Sequence, residues 1–503
     1  MKSLSTILFS VFLLFPSFSY AAIFEVLVAP KDSAAYEAAQ KKANGKSVFA
    51  ERKIHKAFAK AGEIISSCGS CEVNIKLASG NYVGKGSTGS WEFPEVIAPN
   101  VVLRILGGYD DNFGKRAPFD SPTMLRSSKM RSSPVLHFLG KKHALKELVI
   151  SGLTIDVSPG NRYDKKTNTL SKGTSSSWVM LALGYLTTNK LEISDNVLMN
   201  AANGAAAPLI RAASANTEIH VRNNFILNNI LTWRVNSPSG AYMPSRYVFE
   251  NNSFIMGWPY NPDRGTSNPG TLEIGGKYSA AKVEIKNNLF AYNVGGAIFP
   301  QWDDSKGPPI SIRDNLFFDN GALFSAPKPA GGAVVGKFGG SAGHSAYDMD
   351  EIEEDFSWDV SGNVSFDPEI DLPVLKMQAV SYGGEKTVEE NSSAADVAPA
   401  ASVAEEKNLD EMSLEDFMNE PSADSAGGTT EETEEESASS KVAEYDYNLE
   451  DFSTGSFEMD EFAVDGSIKN YAPLMPYNPQ KLPFAKNQKA AAYGVSRQKV
   501  KQY

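Results

Sequence analysis

The sequence predicts an all-β protein: a right-handed parallel β-helix with an N-terminal capping helix and a disordered acidic segment behind it. Three observations predict this. A strand–bend–strand phrase, plain in "VEIKNNLFAYN" (283–293), recurs along the chain. Its copies stand too far apart, and too unevenly, to be hairpins. Charge is also divided so sharply that the repeats and the acidic segment are separate regions.

At the N-terminus, residues 1–21 combine Lys2, an apolar run and small residues at Ser19 and Ala21. That is the pattern of a secretory signal cut near Ala21. A retained membrane anchor is the competing reading, but Pro16 interrupts a run that is already short. No later apolar run is long enough to span a bilayer, so no transmembrane segment is expected after cleavage. The expected location is secreted: extracellular, cell-surface or periplasmic.

The β-helix domain is expected over 22–375. "VLVAP" (26–30) opens a strand. "ERKIHKAFAKAGEII" (51–65) sets Ile54, Phe58, Ala61 and Ile65 on one helical face. A helix there covers the open end of a strand stack, which is otherwise an aggregation edge. The two cysteines, Cys68 and Cys71, follow in "SCGSC". A C-x-x-C can be redox-active or half of a zinc site. No further cysteine completes a zinc site, and the helix-then-strand order is the reverse of the thioredoxin-like one. In an exported chain the favoured reading is a small disulfide. "VNIKLASGNYVG" (73–84), "RILGGYDDNF" (104–113) and "LVISGLTIDVS" (148–158) read as the first rungs.

The repeats proper follow: "LEISDNVLMN" (191–200), "IHVRNNFILNN" (219–229), "YVFENNSFIMG" (247–257), the phrase at 283–293, "ISIRDNLFFDN" (310–320) and "WDVSGNVSFD" (358–367). Their anchors are Asn196, Asn224, Asn252, Asn288, Asn315 and Asn363, spaced by 28, 28, 36, 27 and 48 residues. Apolar residues three and five before each anchor give the period-two alternation of a half-buried strand. The residue before each anchor is Asp, Asn or Gly, types that tolerate left-handed backbone and turn a chain sharply. A fixed bend at uneven spacing suits a coil that winds and stacks on itself, with variable loops absorbing the differences. Equivalent asparagines then stack at about 4.8 Å and bond along the ladder.

Charge locates the remaining regions. Residues 1–344 carry 37 Lys and Arg against 25 Asp and Glu; residues 345–465 carry 4 against 35; residues 466–503 carry 7 against none. The acidic low-complexity part, 383–465, is expected to be disordered, since its residues 383–445 are rich in Ala, Ser, Glu and Asp with few aromatics. It repeats "LEDF" at 414–417 and 449–452 and "MDEF" at 459–462, a pattern of short docking segments for a protein partner or of biased composition alone. It can also lie over the basic body and screen it. The basic tail, 466–503, either returns to the β-helix body or binds the acidic segment. Charge alone allows nucleic acid, but export argues against it, and no nucleic-acid partner is expected.

The repeated bend and the helix before the first rung resemble the pectate-lyase-like parallel β-helix superfamily over roughly residues 23–375. That fold hosts lyases, hydrolases, esterases, epimerases and inert surface proteins. The resemblance implies a substrate lying along the sheet whose strands precede the asparagine strand by one loop. Those strands are "SWVMLAL" (177–183), "APLIRAA" (207–213), "NILTWRV" (229–235), "GTLEIGG" (270–276), "GAIFPQW" (296–302) and "GALFSAP" (321–327). Aligning Val179, Leu209, Leu231, Leu272, Ile298 and Leu323 inward turns Thr232, Arg234, Glu273, Phe299 and Gln301 outward and leaves Arg211 inward, a sign of a one-residue register error there. Adjacent loops add Tyr242, Arg246, Asp263, Arg264, Lys277, Tyr278, Trp302, Asp303 and Asp304. Aromatic faces stack on sugars, and cations pair with uronate carboxylates.

A lyase needs a cation on the uronate carboxylate, a base for the adjacent carbon proton, and help for the leaving oxygen. Lys277 or Arg234 is the candidate base, and Tyr242, Arg246, Tyr278, Gln301 and Trp302 are candidate contacts. Asp303 and Asp304 are candidate calcium ligands, since calcium takes several oxygens. A hydrolase would instead pair Glu273 with Asp303 or Asp304. "GTLEIGGKYSAAKVEIKNNLF" (270–290) is similar to alginate- and chondroitin-type lyases, whose Lys follows a similar strand. The polygalacturonase signature is matched only by the Asp pair in "WDD" (302–304), and the calcium pectate lyases' Trp-Ile-Asp-His segment is missing. His220, mid-strand, reads as ladder surface.

Two function classes therefore stand. One is a secreted protein that binds, and by β-elimination cleaves, an acidic polysaccharide. The other is a non-catalytic surface or matrix β-helix docking through its acidic segment.

Overall fold

The computed structural model describes residues 22–84, 90–126, 135–138, 142–157, 163–164, 169–170, 181–200, 209–212, 217–229, 233–235, 246–257, 271–274, 282–293, 297–300, 310–320, 335–336, 345–346, 358–370 and 481–503. The backbone is mostly strand, and the strands stack in parallel as a solenoid. The long sheet runs Val48–Glu51, Ala22–Val28, Cys71–Ala78, Ile97–Tyr109, His143–Ser151, then Lys190–Ser194, Glu218–Arg222, Arg246–Glu250, Lys282–Lys286, Ile310–Arg313 and Asp359–Ser361. Eight short strands, from Gly80–Val83 to Leu316–Phe318, form a second parallel sheet. A third sheet begins Trp233–Val235, Leu272–Ile274, Ile298–Pro300.

The two large sheets meet at the expected bend. Asp195, Asn223, Asn251, Asn287 and Asp314 have φ of 52–57°, and Gly362 has 67°. Left-handed backbone costs an ordinary L-residue about 1–2 kcal/mol, which is why short polar residues occupy it. Asn287, half-buried with φ 55°, tests this. Asn287→Val is expected to lower stability by about 1–2 kcal/mol and Asn287→Gly to leave it within about 0.5 kcal/mol, read from urea midpoints.

The next residue of each bend builds an amide ladder. From Asn196 to Asn363, each Nδ2 donates to the Oδ1 of the following anchor at 2.9–3.0 Å. The same Oδ1 accepts the backbone N–H of the previous anchor at 2.9–3.1 Å. Each Nδ2 also donates to a carbonyl one coil back, from Ile150 to Ile312, at 2.8–3.0 Å. The ladder thus satisfies buried groups that a sharp bend takes out of the strand pattern.

Four residues past each of the first five anchors, a second corner turns. Asn200, Asn228, Met256, Tyr292 and Asp319 take φ of 46–67°. Asn293 and Asn320 form a further rung there, Nδ2 to Oδ1 at 2.8 Å, and Asn293 Oδ1 accepts from Gly257 N at 2.8 Å. The sequence reading missed this corner, because Met and Tyr at two of its positions hide the pattern.

The alternating residues fill the interior. Leu191, Ile193, Ile219, Val221, Tyr247, Phe249, Val283, Ile285, Ile310 and Ile312 are all at most 1 % exposed. Phe254, Phe290 and Phe317 stack coil on coil at 4.8 and 5.2 Å between centroids. Each such side chain contributes about 1.5–3 kcal/mol on burial.

At the N-terminal end, helix α1 (Ala34–Lys42), which the sequence reading did not pick out, starts at Ser33, whose Oγ accepts from Tyr36 N. Helix α2 (Ile54–Cys68) buries Ile54, Phe58, Ala61 and Ile65 as expected, with Ala57 and Ile64 widening the face. Phe58 lies 5.1 Å from Phe93, which stacks on Phe138 at 4.8 Å, so the helix joins the interior of the first coils. Cys68 and Cys71 are joined in a disulfide between α2 and the next strand. Among the described residues no helix is long and apolar enough to cross a membrane. Residues 1–21 and the acidic stretch 383–465 lie outside the described residues.

The end of the basic tail returns to the body. Ala485 bridges Ile370 in antiparallel fashion, and Lys486 N and Asn487 Nδ2 donate to the carbonyls of Pro368 and Asp367. Phe484 packs edge-on against Phe225 and Phe119, with the Arg497 guanidinium 3.8 Å over its ring. Of the two fates considered for this tail, residues 481–503 take the first.

Candidate functional site

The long sheet's outer face comes first, because its alternation turns charged residues outward. These charges pair with one another along the coils. Arg246 donates to both oxygens of Glu284, at 3.0 and 2.7 Å, one coil on. Lys286 pairs with Glu250 at 3.3 Å, and His220 Nε2 lies 3.1 Å from Glu218. The hydrogen bond from Arg246, reinforced by Lys282 and Lys286, holds the Glu284 carboxyl below its ordinary range despite some burial. The sequence reading set Arg246 in a loop beside the substrate. It opens the strand Arg246–Glu250 instead, and Glu284 occupies its fork, because its outward position in the long sheet faces the next coil's carboxylate.

The third sheet carries the other strand candidates. In register, Trp233, Leu272 and Ile298 are neighbours and at most 1 % exposed. The next row pairs Arg234 with Glu273, and Glu273 with Phe299. The expected alignment placed Leu231 beside Leu272. The observed partner is Trp233, two residues on, which keeps the alternation and brings Arg234 rather than Thr232 beside Glu273. The strands Leu181–Thr187 and Leu209–Ala212, expected in the same sheet, join the long sheet instead, and Leu209 pairs with Ala182 rather than Val179, a shift of three residues from the expected alignment and not one.

Chain order adds the rest. Tyr242 follows the strand Trp233–Val235; Lys277 and Tyr278 follow Leu272–Ile274; Gln301, Trp302, Asp303 and Asp304 follow Ile298–Pro300. All seven lie outside the described residues. Arg234, Glu273, Phe299, Tyr242, Lys277, Tyr278, Gln301, Trp302, Asp303 and Asp304 therefore fall on, or in the connection directly after, three register-aligned strands of one sheet, while Arg246 does not and Thr232, Asp263 and Arg264 precede those strands in the chain. Among the described residues no group of three or more His, Cys, Asp or Glu side chains is placed to hold a metal ion.

A buried charge network absent from the sequence reading lies at the first asparagine bends. Arg116 has no exposed side-chain surface. It donates from Nε to Gly107 O (2.9 Å), from Nη2 to Ser151 Oγ (2.6 Å), and from Nη1 to Asp195 Oδ2 (3.0 Å) and Lys501 O (2.6 Å). Gly152, φ 75°, makes room for it: a Cβ there would stand 2.3 Å from Nη2. Asp195 also accepts from Asn223 Nδ2 at 2.6 Å. Beside it, Glu192 takes Lys190 Nζ at 2.9 Å, Arg222 Nη2 at 2.8 Å and the hydroxyl of the terminal Tyr503 at 2.8 Å.

Burial alone would raise the Glu192 carboxyl, but Arg222, Lys190 and the Tyr503 hydroxyl outweigh it and hold it well below the carboxylate range. A carboxyl depressed in the folded state stabilises fully above its unfolded value, here 4.5, and loses that contribution as pH falls toward the folded value. The melting temperature is therefore expected to drop on acidification from pH 5 to pH 3, and Glu192→Gln to flatten that part of the profile while lowering the neutral-pH value.

No family model matches this chain, and no curated protein or solved structure matches it significantly.

Proposed function

We propose that this chain is an exported, right-handed parallel β-helix of the pectate-lyase-like type that engages an acidic polysaccharide along its third sheet. The observation that carries the reading is the register row joining Arg234, Glu273 and Phe299, with seven further candidates in the connections just after those strands. An extended glycan needs polar, basic and aromatic groups repeated along a flat track, and stacked coils repeat them every ~4.8 Å. The long sheet's outer face is a poorer choice, since Arg246, Lys286 and Lys190 are already paired.

In the β-elimination reading, Arg234 or Lys277 in its neutral form removes the proton beside the uronate carboxylate, and a second cation neutralises that carboxylate. The carbon's electron pair forms the double bond as the glycosidic C–O bond breaks, and the leaving oxygen takes a proton from water. Asp303 and Asp304 would hold calcium, whose charge would add to that neutralisation. The test incubates the full chain with a panel of polyuronates, with calcium and with chelator, following ultraviolet absorbance from unsaturated uronate and product size. New absorbance, lowered by roughly a hundredfold or more in Lys277→Ala or Arg234→Ala, supports the lyase. Shorter chains without absorbance point to hydrolysis through Glu273 and the Asp pair. Binding without turnover leaves a glycan-binding module. Neither binding nor turnover removes the reading for those substrates.

A second reading has its own observation. Ile370 and Ala485 are bridged, so both ends of the stretch containing the acidic segment are fixed on the body. That arrangement suits a non-catalytic β-helix presenting an acidic loop to a protein partner. Partner capture lost on deleting 385–465, with no turnover, would favour it.

A further inference from the structure

Residues 493–503 follow the asparagine corner from later coils to earlier ones. Gly494 N donates to Asn287 O at 2.8 Å, Val495 N to Ser253 Oγ at 3.0 Å and Ser496 N to Asn223 Oδ1 at 2.8 Å. Lys499 Nζ reaches Asn251 Oδ1 at 2.6 Å, and Lys501 N reaches Asp195 Oδ2 at 3.3 Å. Gln502 Nε2 bonds Arg116 O at 3.1 Å, and the Tyr503 ring lies within 5.7 Å of the Arg104 and Arg116 guanidinium carbons. The bend residues thus serve twice: they turn the coil, and their outward oxygens form a track. Val495 is buried on it, and Gly494, φ 67°, fits where a Cβ would stand 2.5 Å from Ser253 Oγ.

We propose that this track is a peptide-binding site and that the C-terminal segment 481–503 is its detachable occupant, a latch held without help from the covalent chain. A solenoid's coils contact only their neighbours, so its stability is a sum of local terms. A segment bonded to Asn287, Asn223, Asp195 and Arg116 at once adds a contact spanning many coils. The latch therefore makes the coils from Arg116 to Asn288 unfold as one unit. This proposal is independent of the glycan reading, since it involves neither the third sheet nor its loops.

The test uses the full chain with a protease recognition sequence inserted at Gly427–Gly428, cleaved after folding. The C-terminal piece is expected to co-elute with the body in native gel filtration, to separate in denaturant, and to be exchanged out by excess synthetic 481–503 peptide but not by a scrambled one. Gly494→Val, which alters the latch alone, is expected to weaken retention by roughly tenfold to a hundredfold. Hydrogen exchange is expected to show the coils at Asn196 to Asn252 losing protection together when the latch leaves. A C-terminal piece that elutes alone overturns the binding site. Retention unaltered by Gly494→Val overturns the assigned track. Unchanged exchange after release overturns the coupling.

Discussion

Asn252→Ala is expected to lower the unfolding free energy by about 4 kcal/mol, far beyond an ordinary substitution. Asn252 is fully buried, and its amide makes four hydrogen bonds. Its Oδ1 accepts from Asn224 N and Asn224 Nδ2 at 3.1 and 2.9 Å; its Nδ2 donates to Val221 O and Asn288 Oδ1 at 2.9 and 3.0 Å. Alanine removes all four bonds: Asn224 N and Val221 O lose this partner, while Asn224 Nδ2 keeps only Ile193 O and Asn288 Oδ1 only the backbone N–H of residue 252, at about 1 kcal/mol or more per bond. Asn252→Asp is no rescue: it keeps the acceptors, loses both donations and sets a carboxylate against Asn288 Oδ1. Asn363→Ala is the comparison. Asn363 is half-buried at the last rung and bonds only Asn315 and Ile312 O, so about 1–2 kcal/mol is expected. Urea midpoints decide it; equal losses at the two positions would sink the ladder as the reason.

Arg116→Met is expected to cost about 3–5 kcal/mol, because it strands a buried carboxylate. Asp195 is 1 % exposed and would keep Ser151 Oγ, Asn223 Nδ2 and the Lys501 amide but lose its ion pair, leaving Arg222 as a more distant charge. The Lys501 carbonyl and Gly107 O would also lose their donor. Arg116→Lys should recover only part of the loss, since one ammonium cannot reach all the points a fork does. Adding Asp195→Asn to Arg116→Met should return part of the stability, giving a coupling energy of about 1–3 kcal/mol in the double-mutant cycle. Additive losses would mean that the ion pair is not what holds this corner.

Much of the coil was legible because its signals are local. Alternation in "VEIK" (283–286) predicts a strand, and Asn287 predicts its left-handed bend; both depend on a few consecutive residues. The second corner was hidden because Met256 and Tyr292 take left-handed backbone there, a state their types do not announce. The Trp233–Leu272 register was missed because apolar residues at 231 and 233 fit the same pleat equally well.

The strands that carry the candidate site were legible as strands, their register less so. Residue types near 234, 273 and 299 pointed to a glycan track, and the register brings those three positions together. Arg246 was misplaced because strand and loop differ there by a single residue, and its partner Glu284 comes from the next coil.

What the sequence by itself determined, then, is the repeating unit: which residues alternate, where the chain bends, and which asparagines stack. Those follow from backbone preference and period within a few positions. The tertiary structure alone decided the neighbours across coils. Arg116 meets Asp195, Tyr503 meets Glu192 and Gly494 meets Asn287, because stacked coils bring distant residues to one corner. No local preference encodes such a meeting. It arises from coil packing, whose register depends on every loop length between the partners.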